Sequence, residues 1–167
     1  MRPLLLLLFC LIIGEARAQT DASGYTVLAE GTIAPDIKGI DQEGKPVCLS
    51  KVKATYVAVF FYEPGCHFCE YILPDLQRFY QREHGANLEI VAVALTTDAA
   101  AWKEQLAAHT AGWTELLPAD VNKVRQDYRI EVAPTIYLID RKHRVRSTRL
   151  VRSDDLELRW FELFNEL

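Results

Sequence analysis

Two cysteines two residues apart, in Cys66-His67-Phe68-Cys69, could open and close as a disulfide. A thiol attacks a disulfide only as its thiolate. The apolar run 56–62 before the pair reads as a buried strand, and the residues after it read as a helix. Cys66 would then sit at a helix N-terminus, where free N–H groups and the dipole favour negative charge. That makes Cys66 the expected nucleophile. Cys69, one turn on, would resolve the mixed disulfide. His67 and Phe68 between them would tune the poise. A positive charge on His67 would favour the Cys66 thiolate, and the helix N-terminus opposes that charge. The expectation is that His67 makes the couple somewhat more oxidising.

Other uses of the pair weigh less. A structural zinc needs two further ligands at suitable spacing, and Cys48, His84 and His109 are scattered singly. Covalent haem attachment needs histidine after the second cysteine, where this chain has Glu70. A purely structural disulfide stays open. No metal and no cofactor beyond the thiols is expected.

Around the pair, alternating patterns give the frame. Residues 36–48 read as a hairpin turning at Asp41-Gln42-Glu43-Gly44. Strands are expected at 55–62, 88–95, 135–140 and 144–150, with a short extended piece at 113–117. The near-continuous apolar character of 55–62 suggests a sheet covered on both faces. Helices are expected at 67–83, with Tyr71, Leu76, Phe79 and Tyr80 as the apolar side and Pro74 as a bend, and at 98–109. Two more follow, at 120–128 with Asp120 as N-cap, and after Ser153-Asp154-Asp155. Strand–helix alternation closed by a hairpin and a helix implies an α/β fold, a central mixed sheet flanked by helices, with an N-terminal β-hairpin extension.

The chain starts like a secretory leader. Arg2 is followed by an apolar core at 4–13 containing Cys10, then the small-x-small site Ala16-Arg17-Ala18. The core is shorter than the roughly 20 residues a spanning helix needs, with an uncleaved anchor as the alternative. The expected organisation is a signal peptide at 1–18, a flexible segment at 19–32 and one domain at 33–167. Removing 18 of 167 residues leaves 149, enough for one core, and takes the formal charge from −4 to −5. That balance gives no support for nucleic-acid binding. The expected location is periplasmic or otherwise extracytoplasmic, an oxidising compartment. Cys48 is then the odd cysteine, read as a buried small hydrophobe, with a redox or intermolecular role as the alternative.

Three stretches resemble thioredoxin-fold proteins, and more closely the secreted or membrane-tethered TlpA/ResA-type redoxins. These are Phe60-Phe61-Tyr62-Glu63-Pro64-Gly65-Cys66-His67-Phe68-Cys69, then Val132-Ala133-Pro134-Thr135 before 136–140, and the Gly-Lys-Pro-Val-Cys-Leu-Ser stretch 44–50. The resemblance implies a thioredoxin fold with a cis-proline at Pro134 facing the dithiol. It also implies that the backbone of Ala133 holds an extended substrate segment by strand-like hydrogen bonds. Two positions depart from the pattern. Tyr62 stands where a tryptophan is common. Phe60 stands where thioredoxins bury the aspartate that serves the second cysteine, and Glu63 is an acid near it in sequence.

The expected function is that of an extracytoplasmic thiol–disulfide oxidoreductase. It would reduce or exchange disulfides of protein substrates, with a separate electron donor or acceptor to recycle the dithiol. An oxidase or isomerase is the same chemistry at a different poise. A peroxiredoxin would carry Pro-x-x-x-Thr-x-x before its cysteine, and neither cysteine here does. A thioredoxin-fold binding module without turnover is the non-enzymatic alternative, and the intact dithiol argues against it.

Overall fold

The computed structural model describes residues 18–22, 24–85, 87–108, 112–147 and 149–165. Residues 1–17 of the expected leader, Cys10 among them, and His109 lie outside the described residues. Among the described residues no helix is long and apolar enough to cross a membrane.

Six strands form one mixed sheet. They are β3 (Lys38–Asp41), β4 (Pro46–Cys48), β5 (Tyr56–Tyr62), β6 (Leu88–Ala94), β7 (Thr114–Pro118) and β8 (Thr135–Asp140), in the spatial order β4-β3-β7-β6-β5-β8. β5 pairs parallel with β6 and antiparallel with β8, and β6 pairs parallel with β7. All seven residues of β5 are buried, as the unbroken apolar run implies. Alternate residues serve two cores. Ala58, Phe60 and Tyr62 pack under α1 (His67–Glu83), α2 (Ala99–Ala108) and α4 (Ser153–Asn165). Val57, Val59 and Phe61 pack on the other face against Val124 and Tyr128 of α3 (Val121–Tyr128).

The β3–β4 hairpin turns where expected. Asp41 Oδ1 accepts the N–H groups of Glu43 and Lys45, and Gly44 takes the left-handed conformation at φ +80°. Asp120 caps α3 by accepting the N–H of Lys123 at 2.9 Å.

Three expectations are corrected. The segment 19–32, read as flexible, contributes β1 (Ala18–Thr20) and β2 (Thr26–Leu28), an antiparallel pair, and Val27 and Leu28 are wholly buried. Among the described residues of the expected strand 144–150, Arg144, Val145 and Leu150 make isolated bridges rather than a regular ladder. Their hydrogen bonds are shared. Val145 exchanges bonds with Gly31 and Thr32, and Ser147 Oγ accepts the Leu138 N–H that a ladder carbonyl would otherwise take. Tyr71, placed on the apolar side of α1, is 76% exposed, and Cys69, Ile72 and Leu73 make that side instead.

Candidate active site

The Cys66–Cys69 pair sits where β5 ends and α1 begins. Glu63-Pro64-Gly65-Cys66 makes the turn between them, closed by Cys66 N–H donating to Glu63 O at 3.1 Å. Proline second and glycine third fit a turn that needs positive φ at its third residue, and Gly65 has φ +76°. Glu63 is not free in solvent, since it pairs with Arg125 of α3 and pins the turn to that helix.

Cys66 is the N-cap of α1. Its Sγ accepts the N–H of Cys69 at 3.2 Å, a contact that would stabilise negative charge on that sulfur. The two cysteines form a disulfide with Cα atoms 5.2 Å apart. They differ sharply in access. Cys66 is half-buried, whereas Cys69 is wholly buried. His67 and Phe68 both face solvent, Phe68 at 70% exposure.

Across from the pair, the Ala133–Pro134 peptide is cis. Ala133 O lies 3.9 Å from Cys66 Sγ, so this segment forms the opposing wall. Thr135 Oγ1 donates to Val132 O at 2.8 Å and fixes the turn into β8. A groove of about 480 Å³ runs beside this wall, its lining including Phe68, Tyr71, Val132, Ala133, Pro134 and Arg152. The structure thus brings together all six residues singled out in the sequence: Cys66, Cys69, His67, Phe68, Ala133 and Pro134.

Cys48 is remote in sequence and in the fold. It is a free, half-buried thiol on the edge strand β4, opposite Lys38.

One acid escaped the sequence reading. Glu115 of β7 reaches the space under Cys69, where Tyr62 Oη donates to it at 2.8 Å and Trp113 Nε1 at 2.7 Å. Burial pushes its carboxyl above the usual range, against the pull of those two hydrogen bonds. The signal available was an acid between Trp113 and the apolar run Leu116-Leu117-Pro118 in the strand Thr114–Pro118.

Comparison with known proteins gives the family and the fold. The model of the AhpC/TSA family matches residues 31–148. The thioredoxin-like protein YneN of Bacillus subtilis is 28% identical over 125 residues, 74% of this chain and 73% of that protein. The thiol-disulfide oxidoreductase ResA of Bacillus subtilis is 26% identical over 142 residues, 85% of this chain and 78% of that protein. Among solved structures, the thioredoxin domain of a thiol-disulfide oxidoreductase from Bacteroides vulgatus superposes with a TM-score of 0.75. It is 30% identical, and the match covers 81% of this chain and 98% of that domain.

Proposed function

The chain belongs to the AhpC/TSA family and is a thiol–disulfide oxidoreductase of thioredoxin-like fold, and from that premise we propose that it works outside the cytoplasm, reducing or exchanging disulfides in protein substrates through Cys66 and Cys69. The observation that carries this reading is the asymmetry of the pair. Cys66 is reachable, caps α1 and stands beside the groove, while Cys69 is sealed beneath it.

Cys66 as thiolate attacks one sulfur of the substrate disulfide. A mixed disulfide forms, and the other substrate sulfur leaves as a thiolate that takes a proton from solvent. Cys69 then attacks Cys66 Sγ, and the second substrate thiol departs. The substrate gains two electrons and the Cys66–Cys69 pair is oxidised by two. A separate thiol donor restores the dithiol. Ala133 supplies backbone groups for an extended substrate segment, and Pro134 keeps that backbone against the sulfurs. Phe68, Tyr71 and Val132 offer apolar contacts along the same groove. The leader-like start supports the extracytoplasmic location, and the TlpA/ResA resemblance supports the reducing direction.

Trapping tests the reading. The Cys69→Ser variant should accumulate mixed disulfides with client proteins through Cys66, and they should disappear on adding reductant. Absence of any adduct, with unchanged non-covalent binding when both cysteines are replaced, would overturn it. The reduction potential and the in-cell redox state test direction. A strongly reducing couple found reduced supports a reductase, and a high potential found oxidised supports an oxidase.

A further inference from the structure

The position that serves the second cysteine in thioredoxins is Phe60 here, so β5 offers Cys69 no carboxylate. The sheet register supplies one from two strands away. Phe60 pairs with Ala92 on β6, and Ala92 pairs with Glu115 on β7. Residues paired across neighbouring strands point to the same face. Phe60, Ala92 and Glu115 therefore form one row beneath α1, and the lone methyl of Ala92 leaves the middle of that row open.

That row borders a small cavity of about 10 Å³, about the least that holds one water. Its lining includes Cys69, Tyr62, Gln105 and Glu115. Both Glu115 oxygens are held, Oε2 by Tyr62 and Oε1 by Trp113. The Glu115 backbone is fixed too, its N–H donating to Gln42 Oε1 at 3.0 Å. Gln105 of α2 adds an independent sign. Its Oε1 is buried without a hydrogen-bond partner, an acceptor that calls for a donor in this space. A thiol S–H or the one water that fits is such a donor, and such a water could also accept from Trp102 Nε1 of α2, the other buried polar atom without a partner among the described residues.

We infer that Glu115 is the group that takes the proton from Cys69 as Cys69 attacks the mixed disulfide. The inference rests on the oxidoreductase reading above and deepens it. In the step, the Cys69 S–H bond breaks and its proton passes to the Glu115 carboxylate, through the one water the cavity admits. The Cys69 sulfur bonds to Cys66 Sγ, and the Cys66–substrate bond breaks. The electron pair leaves with the substrate sulfur, which is protonated by solvent. Reduction of the resulting disulfide returns the proton from Glu115 to Cys69. Burial favours this transfer because it makes Glu115 a stronger base than an exposed carboxylate. The titratable groups facing it are Tyr62 from β5 and Cys69 from α1. The Tyr62 hydroxyl is itself held well above the tyrosine range by burial and by the Glu115 charge, so it remains a donor.

The test separates the two thiol steps. Reduced protein is mixed with 5,5′-dithiobis(2-nitrobenzoate), and release of the first and second thionitrobenzoate is followed against pH. The first release reports Cys66 attack, and the second reports resolution by Cys69. In Glu115→Gln the first rate should hold, and the second should fall at least tenfold near neutrality, within the range of about 10² to 10⁴ typical of lost acid–base assistance. The loss should shrink as pH rises and Cys69 ionises unaided. Glu115→Asp should recover part of the rate. Tyr62→Phe, which keeps the ring, removes a hydrogen bond that lowers the Glu115 pKa. It should shift the acid limb of the second step to higher pH. An unchanged second step in Glu115→Gln, an equal slowing of both steps, or an unmoved limb in Tyr62→Phe would overturn the assignment. Should Glu115→Gln not fold, Tyr62→Phe and Glu115→Asp decide. Failure of wild-type Cys66 to form the first adduct would instead sink the oxidoreductase reading itself.

Discussion

His67 is the residue beside the nucleophile, expected to make the couple more oxidising. Its ring is exposed, so water screens any charge it places near Cys66. A protonated ring favours the Cys66 thiolate, which stabilises the reduced form and raises the potential. His67→Ala should therefore raise the Cys66 pKa by less than about one unit and lower the potential by less than about 30 mV. Titration of the thiolate absorbance and equilibration against glutathione measure the two, and unchanged values would remove His67 from the poise. Glu115 gives a second prediction at this scale. Its folded pKa is raised by burial, so the folded protein binds its proton more tightly than the unfolded chain does. That contribution is fully present below the ordinary carboxylate range and is lost as pH rises through the raised value. Glu115→Gln cannot lose it. Denaturant midpoints followed upward in pH from about 4 should fall for wild type relative to Glu115→Gln. A parallel course would mean that Glu115 titrates normally.

At the level of elements, the strand that carries Glu115 is held to its neighbour by a close approach at Gly39. A Cβ there would run into the Leu117 carbonyl and come within 2.9 Å of Pro118 Cα. β3 can therefore lie against β7 only with glycine at this point. Gly39→Ala should cost about 1–3 kcal/mol through strain in that pairing. It should also disturb Gln42, which follows β3 and holds the Glu115 N–H. Urea unfolding with an unchanged slope and a lowered midpoint would show the cost, and a wild-type midpoint would show that β3 moves aside freely. The elements themselves were largely legible in the sequence. The run 56–62, the Asp41–Gly44 turn and the Asp120 cap are local patterns, and local patterns decide local structure. The role of Glu115 was not legible, because its row with Phe60 exists only once β7 has paired with β6 across the intervening α2. Tyr71 was misplaced for a related reason. Next to the groove, α1 turns aromatic rings toward solvent, and helical spacing alone treats any aromatic as core.

For the molecule as a whole, the least legible feature is the fastening of the N-terminal segment. Its composition is small and polar, and no local pattern joins it to residues more than a hundred positions away. The structure ties it by side chains. Arg149 Nε pairs with Asp21 Oδ2 at 2.9 Å, with both side chains under 10% exposed. The Arg149 guanidinium also lies 4.5 Å from the centre of the Tyr25 ring. Asp21 Oδ1 accepts the Tyr25 N–H, and the Leu28 N–H reaches Tyr137 Oη at 3.3 Å. β1 and β2 are thus clasped to β8 and to the stretch after it, closing the face of the sheet opposite α1. Arg149→Met keeps much of the apolar stem but leaves the Asp21 charge without this partner. It should cost about 3–5 kcal/mol, as loss of one member of a buried pair does. Asp21→Asn combined with Arg149→Met should cost less than the two changes added together, since the two side chains interact directly. The dithiol lies elsewhere, so trapping of client proteins by Cys69→Ser should persist in the Arg149→Met background under conditions where the protein stays folded. A loss below about 1 kcal/mol, the level of exposed pairs, would show that the segment is held by Val27 and Leu28 packing instead.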